Sequence, residues 1–212
     1  MVERVEIFEK SAERYDRWYE ENEEVYRSEL KAVRKLLPKG GKSLEIGVGS
    51  GRFAAPLKLT VGLDPAEAML NIAKKRGVQV VKGTATDLPF KNEAFRSVMM
   101  INTICFLDDP FKSIREAKRV IGSDGKILLG VLDKESFLGK IYESKKESSM
   151  FYSKARLHSV KKISGWLDEV GFSERETYQT IFKTPKDIKE VEKIERGHGK
   201  GGFAVISAEK SA

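Results

Sequence analysis

The 212-residue chain contains few of the residues that build covalent or metal-based sites. It has one cysteine, Cys105, and two histidines, His158 and His198, which are far apart in the sequence. A single thiol forms no internal disulfide, and two separated histidines do not make the closely spaced ligand pattern of a structural zinc site. We therefore expect a reducing compartment and no bound metal.

Long apolar runs are also missing. No stretch approaches the roughly 18 apolar residues that cross a bilayer, and the N-terminal sequence MVERVEIFEK is charged where a signal peptide has its apolar core. The sequence therefore predicts a cytoplasmic protein with no membrane partner. Glutamine and asparagine are rare beside abundant lysine and glutamate, a composition that is typical of thermophile proteins.

The chain is basic, with a formal net charge of +7. Its densest basic stretch, residues 134–162, has eight lysines and arginines against three glutamates. Such a stretch can attract an anionic substrate or RNA, but it is more typical of a solvated lysine-rich surface. Because no separate nucleic-acid module is recognisable, we do not expect a nucleic-acid partner.

The hydrophobic pattern changes at Pro38. Before it, apolar residues such as Val25, Leu30 and Val33 recur at three- and four-residue steps, which indicates amphipathic helix. After it, short apolar runs alternate with amphipathic segments. The runs are SLEIGV, LTVGLD, VQVVKG, SVMMINTI and KILLGVL. This alternation is typical of a parallel sheet with helices on both faces.

Helix boundaries are marked by local signals. Proline at or near the first turn predicts helices over 65–76 and 109–121. A third helix is predicted over 159–170, where Gly171 ends it. Two further strands are predicted after that glycine, in FSERETYQTIFK and GGFAVISAE.

The segment LEIGVGSGRF, residues 44–53, reads as a strand that runs into a glycine-rich turn and then a helix. Glycine in such a turn lets the backbone approach a ligand, and the helix N-terminus offers free N–H groups. The next apolar run ends in Asp64. A carboxylate there can accept hydrogen bonds from ribose hydroxyls, and it can also cap the helix that follows. The pattern favours an adenosine-type cofactor.

Two charged residues bear on which cofactor this is. Arg52 stands where the dinucleotide fingerprint has its third glycine, and Glu45 precedes the first glycine. A carboxylate at this strand end repels phosphate and suits a cationic ligand. S-adenosylmethionine carries a sulfonium and an ammonium group, so the turn favours it, while an NAD-dependent oxidoreductase stays open as an alternative.

Four segments in order resemble the class I S-adenosylmethionine-dependent methyltransferases, particularly their small-molecule and quinone-type group. They are LEIGVGSGRF, GLDPAEAML, GTATDLPF and REAKRVIGSDGKILLG, and the resemblance covers about residues 40–172. It implies an α/β Rossmann-like, doubly wound sheet of about seven strands in three α/β/α layers, mostly parallel with the last strand antiparallel. We expect a single domain over 1–212, with an N-terminal helical cover at 1–38, a cofactor-binding half at 40–132, a lid insertion at 133–158 and a C-terminal helix and strands at 159–212.

The resemblance also implies a cofactor site for S-adenosylmethionine at the ends of the first strands. Its expected members are Glu45, Gly47, Gly49, Gly51, Asp64, Met69, Asp87, Leu88 and Asn102. In this assignment the glycines line the methionine and ribose, and Glu45 orients the ammonium group through backbone or water. Asp64 holds the ribose hydroxyls, Met69 packs on the adenine, and Asp87 and the Leu88 backbone bind the adenine edge.

Methyl transfer from a sulfonium is an in-line displacement, so the protein must chiefly orient the reactants and exclude water. A general base is needed only for a weakly acidic or protonated acceptor. The candidate catalytic residues are Asn102, beside the methyl group, and Tyr15, Tyr19 and His158 as bases. Each has a structural alternative: strand-end hydrogen bonding for Asn102, helix capping for His158, and packing on the sheet for the tyrosines.

The sequence therefore predicts an enzyme that transfers a methyl group from S-adenosylmethionine to a small-molecule acceptor and releases S-adenosylhomocysteine. The aromatic residues Tyr142, Phe151 and Tyr152 predict that the insertion forms an acceptor lid. The alternatives are an RNA or protein methyltransferase that uses the basic segment 134–162 and an NAD-dependent oxidoreductase. The sequence defines neither the acceptor atom nor an oligomeric state.

Overall fold

Eight strands form one sheet at the centre of the computed structural model, which describes residues 2–211. The strands are β1 Ser43–Ile46, β2 Val61–Asp64, β3 Val80–Lys82, β4 Phe95–Ile101, β5 Ile121–Leu132, β6 Phe172–Thr180, β7 Glu195–Arg196 and β8 Phe203–Lys210. Their order across the sheet is β3-β2-β1-β4-β5-β8-β6-β7. The strands β1 to β5 pair in parallel, and β8 runs antiparallel to both β5 and β6. The mostly parallel sheet with an antiparallel last strand is confirmed, and the short edge strand β7 is an addition to it.

Helices cover both faces of this sheet. They are α1 Val2–Lys10, α2 Ala12–Glu21, α3 Glu23–Leu36, α4 Ala54–Leu57, α5 Glu67–Lys75, α6 Pro110–Val120, α7 Phe137–Ser144 and α8 Val160–Val170. The Asp109 side chain accepts from the N–H of Lys112 at the start of α6, and Ser159 does the same for Lys162 at the start of α8. Gly171 ends α8 with a left-handed φ of +83°. These ends lie within one residue of those predicted from the sequence.

The N-terminal helix breaks twice. Ser11 separates α1 from α2, and Asn22 separates α2 from α3. At the second break the Asn22 side chain donates to the carbonyl of Trp18, which satisfies one of the free acceptors at the end of α2. The breaks let α1 and α2 fold back toward α5, where Phe8 and Ala12 pack with Met69. The N-terminal helical cover is thereby confirmed.

The core lies on both faces of the sheet, as the alternation along β4 shows. Val98 and Met100 point to the face that α6 and α8 cover, whereas Met99 points to the face that α3 covers. Period-two alternation puts successive side chains on opposite faces, so an apolar run such as SVMMI fills both cores. This burial on both faces holds the ends of β1, β2 and β4 side by side.

The segment 133–158 folds beside the ends of β4 and β5. It contains α7 and two single 3₁₀ turns, at Lys146–Ser148 and Tyr152–Lys154. Buried Ala155 and Leu157 attach it to Cys105, which follows β4. No helix within residues 2–211 is both long enough and apolar enough to span a bilayer.

Candidate active site

The glycine-rich turn after β1 depends on left-handed backbone. Gly47 has a φ of +72° and Gly49 a φ of +51°, a region that favours glycine. The N–H groups of Gly47 and Val48 both donate to the carbonyl of Leu63, at 2.7 and 3.0 Å, so the turn is bound to β2. A Cβ on Gly47 would collide with the side chain of Thr103. The turn therefore exposes bare backbone at the carboxyl edge of the sheet.

The third glycine of the turn, Gly51, packs against α5 and does not line the cavity. Gly51 has a φ of +80°, and a Cβ there would lie 3.2 Å from Ala73 and from Val78. It therefore allows the turn to pack closely on α5, which is the function of the third glycine in the dinucleotide fingerprint. The expectation that Gly51 lines the cofactor is not supported by its position.

The Asp64 side chain hydrogen-bonds to two backbone N–H groups, one in the glycine turn and one just before α5, and its role toward a ribose stays a prediction. Its side chain is 8% exposed; Oδ2 accepts from the Gly49 N–H and Oδ1 accepts from the Ala66 N–H, both at 2.9 Å. Burial raises the pKa of this carboxyl group to about 6, and the two backbone hydrogen bonds lower it in part. The group is ionised at neutral pH, and each oxygen keeps a free lone pair.

A cavity of about 340 Å³ opens over these groups. It is lined by residues that follow β1, β2 and β4 and by the N-terminal helices. Of the residues predicted from the sequence, it is lined by Tyr15, Gly47, Gly49, Asp64, Met69 and Asn102. Because β1, β2 and β4 are parallel neighbours, their carboxyl ends meet at one edge, and this brings together residues that are distant in the chain.

The two residues predicted to bind the adenine edge lie outside the cavity lining. Asp87 is exposed, and neither Asp87 nor Leu88 lines the cavity; the segment 84–86 lines it instead. The N–H of Leu88 donates to Glu116 of α6 at 2.9 Å, so it is already used. The bridge between Thr84 and Asp87 turns the chain at this point and directs Asp87 outward. The residues of the GTATDLPF motif that do line the cavity precede the pair that the sequence singled out.

Glu45 lies behind the turn. It is 1% exposed, does not line the cavity, and receives a hydrogen bond from the backbone of Ala54 in α4. Burial raises the pKa of this carboxyl group well above its usual value, and its Oε2 has no hydrogen-bond partner within the described chain. Any influence of Glu45 on a ligand therefore passes through the backbone of the turn.

Asn102 closes the end of β4 and contacts a carboxylate that the sequence reading missed. Its φ is +54°, its N–H donates to the Gly130 carbonyl at 2.8 Å, and its Nδ2 donates to Glu29 Oε2 at 3.2 Å. Glu29 lies on the buried stripe of α3, between Val25 and Val33. A glutamate at an apolar position of a helix was the available sequence signal. Burial raises the pKa of Glu29 to about 8, although the Asn102 hydrogen bond lowers it in part.

Aromatic rings cover the cavity. Phe8 of α1 contacts Tyr15, Phe106 and Phe151 at ring-centroid distances of 5.4, 5.0 and 5.7 Å. Tyr15 also contacts Phe151, at 5.2 Å. The N-terminal cover and the segment 133–158 therefore meet above the ends of the strands.

The proposed bases do not fit that role. The Tyr15 and Tyr19 hydroxyls are 3.0 Å apart, and burial raises the pKa of both well above the usual value, so they stay protonated. His158 does not line the cavity; its ring packs at 4.9 Å from Trp166, and burial, followed by nearby Lys and Arg charges, lowers its pKa to about 4. The alternative prediction, that His158 caps the helix that follows it, is also wrong, because Ser159 caps α8.

An ion-pair network ties the cover to the glycine turn. Asp16 of α2 accepts from Arg52 at 2.7 and 2.8 Å and from Arg76 at 2.6 Å, and Arg76 also donates to the Ser50 carbonyl at 2.7 Å. Burial would raise the pKa of Asp16, but these hydrogen bonds outweigh burial and lower it. Arg52, which departs from the dinucleotide pattern, therefore connects the glycine turn to α2.

Comparisons with known proteins identify the family. Residues 44–129 match the methyltransferase domain family. The chain is 45% identical to a crystal structure from Thermotoga maritima described as an S-adenosylmethionine-dependent methyltransferase, possible histamine N-methyltransferase, with a TM-score of 0.95 over 98% of this chain and 100% of that one. This protein belongs to the S-adenosylmethionine-dependent methyltransferases. It is also 47% identical to an uncharacterized protein of the archaeon Methanocaldococcus jannaschii, over 96% of this chain and 98% of the relative.

The residues of this methyltransferase fit its cofactor, S-adenosylmethionine. Gly47 and Gly49 leave the cavity wall without side chains, and a Cβ on Gly49 would face Tyr15 at 3.9 Å. Asp64 has free lone pairs for the ribose hydroxyls, and buried Met69 offers an apolar surface. When bound, the cofactor supplies a methyl group activated by a sulfonium. The matched family is one of methyltransferases and not of NAD-dependent oxidoreductases.

Proposed function

We propose that this methyltransferase acts on a small-molecule acceptor by in-line displacement and releases S-adenosylhomocysteine. The observation that carries the proposal is the aromatic cover of the cavity. Phe8, Phe106 and Phe151 come from three separate segments, and Phe8 contacts each of the other two rings over the carboxyl edge of the sheet. A cover of this kind excludes water from the reacting groups and limits the acceptor to a molecule that fits beneath it.

The same cover limits which acceptors can reach the cavity. A protein or RNA acceptor would have to insert a side chain or base past the aromatic rings. The cover therefore favours a small acceptor over a macromolecule.

The descriptions of two relatives also support a small-molecule acceptor. The structure from Thermotoga maritima is described as a possible histamine N-methyltransferase. A demethylmenaquinone methyltransferase of Chlamydia pneumoniae is 23% identical over 190 residues, covering 85% of this chain and 78% of the relative. Both names refer to small acceptors.

The basic segment 134–162 gives the RNA or protein alternative little support. Most of its cationic side chains are exposed, as expected of a solvated lysine-rich surface. They are Lys134, Lys140, Lys145, Lys154, Arg156, Lys161 and Lys162. The aromatic residues of the segment pack inward, with Tyr142 and Tyr152 at 4.3 Å, so no row of exposed rings is available to stack on bases.

A labelling experiment tests the proposal. The enzyme and S-adenosylmethionine with an isotope-labelled methyl group are incubated with a heat-treated cell extract, which is then separated into metabolite, RNA and protein fractions. Label in the metabolite fraction is the expected result, and an Asp64→Ala variant, with weakened cofactor binding, should label each fraction far less. Label confined to RNA or to protein would overturn the proposal.

A further inference from the structure

A buried carboxylate that does not itself line the cavity lies behind Asn102, which does. Glu29 is 7% exposed, and its Oε2 accepts a hydrogen bond from Asn102, which lines the cavity. Within residues 2–211, no Lys, Arg or His side chain forms an ion pair with it, and Asn102 is the one group that lowers its pKa. A buried carboxylate is ordinarily paired, because burying an unpaired charge is costly.

Four tyrosines lie within the electrostatic range of this carboxylate. Tyr15 and Tyr19 come from α2, and Tyr142 and Tyr152 come from the segment 133–158; the charge of Glu29 contributes to the raised pKa of all four hydroxyls. Tyr15 also lines the cavity. A carboxylate among aromatic rings is the arrangement that proteins use to bind ammonium groups.

The orientation of Asn102 fits the same type of ligand. Its Nδ2 donates to Glu29, so the amide oxygen is the atom that remains available to a ligand. Amide oxygen, carboxylate and tyrosine rings all attract a positively charged donor. None of these groups favours an anion.

We propose that the methyl acceptor is a small amine, and that Glu29 attracts its ammonium form to the end of the cavity formed by Asn102 and Tyr15. The nitrogen gives up one proton to solvent before it attacks, and the N–C bond then forms as the S–C bond of the sulfonium breaks. This inference rests on the proposed function and names its substrate class. Glu29 thereby determines specificity: it discriminates an amine from a neutral acceptor of the same shape. The burial of Glu29 supports this reading, because its pKa of about 8 reflects the missing counter-charge that a bound ammonium would provide.

The first test compares two acceptors that differ at one group. Phenethylamine and 2-phenylethanol are titrated into the complex of the enzyme with S-adenosylhomocysteine, and methylation of both is assayed with S-adenosylmethionine. We expect the amine to bind and to be methylated. Glu29→Gln should weaken amine binding about tenfold or more, as expected when a charged hydrogen-bond partner is lost, and should leave binding of S-adenosylhomocysteine unchanged. The matched control is Glu23→Gln, at an exposed position of the same helix.

Proton linkage gives a second readout that a purely structural role would not produce. Without ligand at pH 7, Glu29 is mostly protonated; a bound ammonium favours its ionised form, so binding should release a proton. The facing tyrosines have raised pKa values and stay neutral, and the Asn102 amide does not titrate. Calorimetry of amine binding in buffers of different ionisation enthalpy should detect this proton in the wild type and not in Glu29→Gln. The variant should unfold at the same or a higher temperature, because it removes an unpaired buried acid.

The outcomes separate this inference from the proposed function. Methylation of neutral small molecules, with no binding or methylation of amines, would overturn the amine assignment and leave the small-molecule proposal intact. Amine binding that is unchanged in Glu29→Gln would overturn the role of Glu29. Label found in RNA or protein alone in the extract experiment would overturn the proposed function itself.

Discussion

Arg52 and Asp16 form a two-point ion pair in which Nε and Nη2 of the arginine lie 2.7 and 2.8 Å from the two carboxylate oxygens. The arginine immediately follows the glycine turn, and the aspartate belongs to the helix that carries Tyr15 over the cavity. Both side chains are mostly buried, with 15% and 13% of their surfaces exposed. This ion pair therefore holds the N-terminal cover against the glycine turn.

Replacing Arg52 by alanine should loosen the cover. We expect a loss of about 1–3 kcal/mol in the free energy of unfolding, because a charge-assisted, two-point hydrogen bond is removed. Asp16 then keeps Arg76 as its one cationic partner within the described chain. The affinity for S-adenosylmethionine should fall as well, since Tyr15 is no longer held over the cavity. Denaturant unfolding and calorimetric titration measure the two effects. Arg27→Ala, which removes an exposed pair with Glu24, is the control and should change neither quantity appreciably.

Cofactor binding should depend on the ionisation of Asp64. Its pKa of about 6 is raised by burial, so the carboxylate is ionised above that pH and protonated below it. A protonated carboxyl group loses acceptor capacity, and the affinity for S-adenosylmethionine should therefore fall by up to about tenfold as the pH drops from roughly 7.5 to roughly 5. Asp64→Asn should bind more weakly and lose this pH dependence. A wild-type affinity that is constant over the range would contradict the assigned role.

Gly47 should tolerate alanine less well than Gly40 does. Both have a left-handed φ, of +72° and +71°, but a Cβ on Gly40 meets nothing within 4 Å, whereas one on Gly47 collides with Thr103. Gly40→Ala should cost only the conformational strain, about 1–2 kcal/mol. Gly47→Ala should cost about 1–3 kcal/mol more, because Thr103 is held by hydrogen bonds to the carbonyls of Gly47 and Ile101. It should also impair cofactor binding. Equal losses of unfolding free energy in the two variants would refute the collision.

Phe151 tests the proposal that the segment 133–158 is an acceptor lid. Phe151→Ala removes the ring that contacts Phe8 and Tyr15, so the KM for the acceptor should rise several-fold. The Kd for S-adenosylmethionine should stay within about twofold, because Phe151 does not line the cavity. Met150→Ala, at a neighbouring side chain that is 40% exposed, serves as the control. Equal losses of cofactor and acceptor affinity would show that the segment is not specific to the acceptor.

Much of the fold was predictable because its signals are local. Alternating apolar runs identify the strands, and the caps Asp109, Ser159 and Gly171 limit their helices through contacts within a few residues. The glycine turn and Asp64 were also predictable, since a left-handed backbone and a carboxylate at a strand end are properties of short segments. Residue type and spacing favoured an adenosine-type cofactor, and the resemblance to class I methyltransferases identified it as S-adenosylmethionine.

Tertiary structure decided which of the neighbouring residues face the cavity. Gly51 packs on α5, and Leu88 bonds to Glu116 of α6, so both are turned away by partners that are distant in the sequence. Glu29 becomes notable only because α3 places it beside Asn102, and His158 lies outside the cavity although it ends the segment 133–158. The sequence by itself determined the elements and the cofactor. Packing between distant elements decided the direction of each side chain, because burial and pairing depend on contacts that no local pattern contains.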